Sequence, residues 1–141
     1  MKTTPARAIV RITAILSAVP PQPSHFGSAC AEAGAIALAT DRGVLLRYNG
    51  ANRAHDQGGD CACLPGWVGL GQALFAVERP AQLVARLDRP FLHAEFDWEL
   101  REFTPPAVVA NGRVFFKGEW LLYYGAADRR IGLAVCRSPN R

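Results

Sequence analysis

Asp128 is the carboxylate of this chain best placed to meet a ligand. It stands in the run Leu121-Leu122-Tyr123-Tyr124-Gly125-Ala126-Ala127-Asp128-Arg129-Arg130, between two tyrosines and two arginines. Apolar runs broken by turn residues predict short antiparallel strands at Val114–Lys117, Trp120–Tyr124 and Ile131–Cys136, with turns at Gly118-Glu119 and Ala126–Arg129. The second turn would hold Asp128 at its tip. An ionised carboxylate accepts strong hydrogen bonds from adjacent hydroxyls, so this corner suits a hydroxyl-rich ligand. An aspartate in a turn can instead bond its own backbone, and both readings stand at this point.

The pattern recurs earlier. Val44-Leu45-Leu46-Arg47-Tyr48-Asn49-Gly50-Ala51-Asn52-Arg53 aligns with Trp120–Arg129, and Val68-Gly69-Leu70-Gly71 with Ile131-Gly132-Leu133-Ala134. Tyr48 then falls on Tyr124 and Asn52 on Asp128, with residues 54–66 as an insertion in the first copy. A recurring strand, polar turn, strand unit is the mark of radial or stacked β repeats.

The elements around these corners are predicted to be nearly all strand and turn. Ala35–Ala39, Val44–Tyr48, Trp67–Val77 and Gln82–Leu87 read as strands, separated by Asp41-Arg42-Gly43, a polar loop over 49–66 and Glu78-Arg79-Pro80. Residues 91–106 are acidic and end in Thr104-Pro105-Pro106, which suits a long connection and not a central strand. The chain of 141 residues has room for one domain, and its 50% hydrophobic content supports a packed core. Repeat blades of about 40–50 residues limit it to about three, fewer than a closed propeller needs. Open sheet edges would therefore favour self-association, unless the chain is part of a longer protein.

The net charge of +4 is carried almost wholly by arginines scattered from Arg7 to Arg141, with no dense basic stripe, so a nucleic-acid partner is not expected. Cys61-Ala62-Cys63 lacks the spacing of a zinc knuckle, and neither it nor Cys30 and Cys136 points to a metal site; no metal or other cofactor is expected. Residues 1–33 are expected to form a leader, either a short helix or a poorly ordered segment. Their apolar run Ile12–Val19 is short for a signal peptide and too short to span a membrane, so a cytoplasmic location without a membrane partner is the expectation. The β domain is then expected over residues 34–141.

From about Gly34 onward the sequence resembles glycoside hydrolase family 130, the β-mannoside phosphorylases and related glycosidases. The resemblance rests on Thr40–Gly50, which ends in Tyr-Asn-Gly; on Val68–Phe75; on Leu83–Leu92, by its place in the order; and on Val114–Ala134 with its Tyr-Tyr-Gly-Ala-Ala-Asp. It implies an all-β fold, here about two C-terminal blades of a five-bladed β-propeller. The implied activity is cleavage of β-mannosides by phosphate or by water, with inversion. Its implied partners are a mannose-containing oligosaccharide and inorganic phosphate. Tyr48, Asn49, Asn52, Tyr124 and Asp128 are the implied substrate-binding positions, with Asp128 holding hydroxyls of the mannosyl unit.

Two departures bear on mechanism. Asn49 replaces the phosphate-binding histidine of the family's Tyr-His-Gly, which favours water over phosphate. Pro106 stands where relatives carry asparagine, and Asn111 replaces an acidic residue in a looser alignment. The family's general acid and most of its phosphate-binding arginines belong to earlier blades. Among the matched residues Asp60, Glu102 and Asp128 are the remaining carboxylate candidates, and no catalytic residue is assigned. The readings left open are an incomplete glycosidase, a non-catalytic carbohydrate-binding protein and a β-rich interaction module.

Overall fold

The structure is a computed structural model that describes residues 18–101 and 104–137. Two antiparallel sheets follow one another along the chain. The first is built on β3 (Gly43–Ala51), which pairs on one side with β1 (Cys30–Ala33) and β2 (Leu38–Thr40) and on the other with β4 (Val68–Phe75); β5 (Leu83–Arg86) lies beyond β4. The second is a meander of β6 (Val108–Phe116), β7 (Glu119–Ala126) and β8 (Arg130–Arg137). A single helical turn, α1 (Asp97–Leu100), lies in the connection between the sheets.

The all-β expectation therefore holds, and most strands fall near the expected apolar runs, but β6 begins at Val108 where Val114 was expected, β1 was not expected, and two further bounds shift. Ala35–Ala39 does not form one strand, because pairing with β3 lapses after Ala33 and resumes at Leu38. The β6–β7 turn sits at Lys117-Gly118, one residue earlier than expected; both take positive φ (49° and 84°), as a tight hairpin requires. The boundary expected near residue 33 falls inside the first sheet's unit. Cys30–Ala33 pairs with Tyr48–Ala51, Phe26 is fully buried and Val19 is in the core. Of the expected leader, residues 1–17 lie outside the described residues.

Side-chain alternation on β3 explains how the layers stack. Tyr48 and its neighbours Val44 and Leu46 pack against Phe26, Trp67, Ala73 and Phe75, beneath the arm of residues 19–28. Leu70, from β4, faces the second sheet and packs with Val108, Ala110, Leu122 and Tyr124. The first sheet is thus covered on both faces, which is why its strands read as nearly continuous apolar runs. One polar tie crosses the inter-sheet layer: the buried Asn49 accepts a hydrogen bond at Oδ1 from the Ala110 backbone N–H, at 2.9 Å.

The repeat seen in the sequence has a physical basis, in a corrected register. Tyr48 lies directly opposite Gly71, and Tyr124 directly opposite Gly132. A Cβ added at either glycine would come 2.2 Å from the tyrosine Cζ. Each ring therefore lies across its partner strand in space that only glycine leaves open. The equivalent glycines are Gly71 and Gly132, so the earlier pairing of Gly71 with Ala134 is two residues out.

Candidate functional site at the loop end of the two sheets

Both sheets turn their β3–β4 and β7–β8 connections toward a common end, and Ala107 joins them there. Val68 at the start of β4 bridges to Ala107 and donates its N–H to the Pro106 carbonyl, and Ala127 donates to the Ala107 carbonyl at 3.1 Å. Pro106 thus contributes its carbonyl to the junction.

Asp128 occupies the tip of the β7–β8 turn. Ala127 and Asp128 both adopt left-handed backbone, at φ 52° and 53°, and Arg129 N–H closes the turn on the Ala126 carbonyl. Aspartate tolerates this region better than most residues. Its side chain is exposed, and among the described residues it has neither a hydrogen bond nor an ion pair. The self-bonded turn aspartate considered from the sequence is therefore not what forms.

The other four sequence-predicted positions each have at least one polar side-chain atom engaged inside the protein. The Asn52 amide organises the loop after β3: Oδ1 accepts from Ser28 Oγ (3.0 Å) and Asp60 N (2.8 Å), while Nδ2 donates to the carbonyls of Asp60, Cys63 and Leu64. Tyr48 OH accepts from Arg86 Nε at 2.8 Å, and the same guanidinium reaches the Pro20 carbonyl and His25 Nδ1. Burial raises the Tyr48 phenol pKa against the opposing pull of Arg86. Asn49 is turned into the inter-sheet layer, as described above. Tyr124 OH donates to Glu99 Oε1 at 2.6 Å, and its ring stacks on Trp98. Burial, reinforced by this bond and the Glu99 charge, lifts the Tyr124 phenol far above the ordinary tyrosine range.

Glu99 is the residue sequence reasoning passed over. It is 1% exposed, and its Oε2 accepts from the Glu95 and Phe96 N–H groups, so one carboxylate fastens the start of α1 to the tyrosine of β7. A Glu three residues into a helical turn, with free N–H groups just before it, was the available signal.

Beside this end lies a cavity of about 510 Å³ lined by Ser24, Asp60, Cys63, Trp67, Asp88, Arg89 and His93, among others. Trp67 and His93 face each other with ring centroids 5.9 Å apart, and His93 Nε2 lies 3.5 Å from Glu95 Oε1. Asp60 accepts from Ala62 N at Oδ1, and its Oδ2 lies 3.9 Å from the Cys63 thiol. Burial first, then the Asp60 charge and hydrogen bond, raise the Cys63 pKa and keep it protonated. Cys63 forms no disulfide, and no cluster of three metal-ligating side chains occurs among the described residues. Asp128 is not among the residues lining this cavity, and Glu102 lies outside the described residues.

Two antiparallel sheets with polar loops gathered at one end define an all-β chain, and several known proteins resemble it. No family model matches the chain. It is 41% identical over 66 residues to the β-1,2-mannobiose phosphorylase of Thermoanaerobacter sp. (strain X514), a stretch covering 47% of this chain and 22% of that protein. It superposes on a putative glycoside hydrolase from Parabacteroides distasonis with a TM-score of 0.81 and 35% identity, covering 88% of this chain and 36% of that one. It also superposes on a structure from the GH130 family of mannoside phosphorylases, described as containing hydrolases that target β-1,2 mannosidic linkages in Candida mannan. There the TM-score is 0.77 at 34% identity, over 83% of this chain and 32% of the other. The chain is thus similar to glycoside hydrolase family 130 proteins over part of their length, spanning 22% to 36% of these relatives.

Proposed function

We propose that this chain contributes the sugar-binding corner of a family 130-type protein acting on β-mannosides, with Asp128 as the residue that holds the sugar. The observation that carries this reading is the state of Asp128: an exposed carboxylate, unpartnered among the described residues, on a tight turn at the end where both sheets gather their loops. Such a group can accept hydrogen bonds from two vicinal hydroxyls of a mannosyl unit without first breaking a bond of its own. In this reading Tyr48, Asn49, Asn52 and Tyr124 hold the corner in place instead of touching the sugar, since each is buried with a side-chain hydrogen bond inside the protein.

The two sheets are read as neighbouring blades of a five-bladed propeller, with the sugar at the loop end. Cleavage with inversion needs a proton donor on the leaving oxygen and a water or phosphate on the opposite face. This reading gives no residue of the chain either role; the chain binds and orients. The position of the family's phosphate-binding histidine is held by Asn49, whose amide oxygen is bonded to Ala110, and this favours water over phosphate. The alternative is carbohydrate binding without turnover, favoured by a free Asp128 carboxylate with no proton donor placed beside it among the described residues. A turnover assay with β-1,2-mannobiose, with and without inorganic phosphate, separates the two. Release of mannose supports the enzymatic reading, and saturable binding without turnover supports the alternative. Absence of both removes the sugar from the account.

A further inference from the structure

His25 sits where the arm of residues 19–28 meets the first sheet. It is 5% exposed, an ionisable group with no part in the site above. Its ring lies against Phe26, which is itself stacked on Tyr48. Both ring nitrogens are engaged. Nε2 lies 2.9 Å from the Leu87 carbonyl, which can only accept, so Nε2 carries the proton. Nδ1 is then the acceptor. It takes the Gly27 N–H at 3.0 Å, within the arm, and lies 3.2 Å from Nη2 of Arg86 on β5. Gly27 leaves room for this approach, since a Cβ there would come 2.6 Å from Arg86 Nη2. The same guanidinium holds the Pro20 carbonyl through Nη1 and the Tyr48 phenol through Nε, each at 2.8 Å. An unprotonated Nδ1 thus ties the arm to the sheet.

A proton on Nδ1 removes that acceptor. Gly27 N–H and Arg86 Nη2 then face a third donor, and an imidazolium stands beside a guanidinium in a buried contact. The charged groups that face His25 come from three places. Arg86 of β5 opposes a charged ring, while Asp88, just after β5, and Asp60, in the β3–β4 loop, favour one. Tyr48 of β3 meets Arg86 as a phenol and adds no charge. Burial is the largest effect. With Arg86 it outweighs the Leu87 bond and the two aspartates, so the closed arm takes up the proton only below pH 6.5.

We propose that His25 is a proton-operated latch: proton uptake at Nδ1 releases residues 19–27 from the first sheet while both sheets stay folded. Ser28 marks the hinge, because its Oγ stays bonded to Asn52 and the Ala29 N–H to the Ala51 carbonyl. An open arm exposes the imidazole, which then titrates at its ordinary value. Below pH 6.5 the open population therefore rises about tenfold per unit of pH, until the closed form itself accepts the proton. Release alters the loop end as well. Ser24, whose N–H is bonded to the Gly58 carbonyl, lines the cavity, and Phe26 meets the Trp67 ring edge-on at 6.5 Å. Both leave with the arm, and the cavity gains an open side in acid. The inference does not rest on the sugar-binding reading, and its test uses no ligand.

The test is amide hydrogen exchange of the full 141-residue chain at about pH 7.5 and about pH 5.5, with each rate divided by its intrinsic value at that pH. Protection of the Ser24 and Gly27 amides is expected to fall about tenfold and to lie below that of the β3 and β4 amides at both pH values. In His25→Gln, which stays neutral throughout, the fall should vanish. Unchanged protection in the wild type overturns the inference, and so does a fall that persists in His25→Gln. Arm amides protected as well as those of β3 and β4 overturn it too, because the arm then leaves only when the whole fold does. A second measurement needs no variant: nitrogen NMR of the wild-type imidazole at pH 6.5 is expected to show the neutral ring with its proton on Nε2. A proton on Nδ1 there, or a half-charged ring, overturns the latch, because Nδ1 would not be the acceptor.

Discussion

Single side chains divide sharply by whether their polar atoms are already engaged. Asp128 is free, while Asn52 and Tyr124 are fully committed, so substitution should act on binding in the first case and on stability in the others. Tyr124→Phe removes the one side-chain hydrogen bond to Glu99 Oε1 among the described residues and leaves a buried carboxylate oxygen without that partner. It is expected to cost about 1–3 kcal/mol, read as a lower denaturation midpoint in urea; an unchanged midpoint would mean the bond contributes nothing. Asn52→Ala should show itself locally. The Asp60 amide, which now donates to Asn52 Oδ1, is expected to exchange with solvent at least tenfold faster by hydrogen exchange, while amides in β7 stay protected. Asp60 exchange at the wild-type rate would show that the loop is held by other contacts. The sequence could mark these residues as a polar group near a turn. It could not separate a ligand contact from an internal strut, because that depends on partners far along the chain, such as Ser28 for Asn52 and Arg86 for Tyr48.

Elements were more legible than side-chain roles. β3, β4, β7 and β8 follow directly from apolar runs bounded by glycine and polar turns, and the repeated tyrosine marked equivalent positions in the two sheets. What the runs could not reveal was why the tyrosine recurs. The ring needs the opposite residue to be glycine, and that pairing is set by register across a hairpin. Gly132→Ala is therefore expected to push Tyr124 off Glu99 and destabilise the protein by about 1–3 kcal/mol or more, measured by thermal unfolding. The same substitution at Gly112, where a Cβ would meet nothing within 4 Å, should not produce this loss and serves as the control. Equal effects at the two glycines would mean that ring packing is not the cause. Residues 18–33 were misjudged for a related reason. Val19 and Phe26 look like parts of a leader until β3 and β4 present the cluster they complete.

At the scale of the whole molecule, two buried layers fix how stability responds to pH. His25 is held neutral: burial lowers its pKa below 6.5, with Arg86 adding to the effect, while its hydrogen bond to the Leu87 carbonyl opposes it. The unfolded chain then takes up a proton that the folded chain resists, so stability present above pH 6.5 is lost as pH falls through that value. Tyr48 and Tyr124 have pKa values raised above 10.0, so the unfolded chain releases protons first in alkali and stability falls as pH climbs past 10.0. The melting temperature should thus form a plateau between these limits. His25→Gln should flatten its acid side and leave the alkaline side unchanged; an acid side that keeps its slope would remove His25 as the cause.

The central claim is that this layered β scaffold presents Asp128 to a sugar. Titration calorimetry of β-1,2-mannobiose into the wild-type chain and into Asp128→Asn tests it most directly. Loss of a charge-assisted hydrogen bond is worth about 1.5–3 kcal/mol, so the account predicts saturable binding that weakens roughly tenfold to a hundredfold in the variant, with the same melting temperature. Equal affinity in both proteins, or no heat from either, would contradict it.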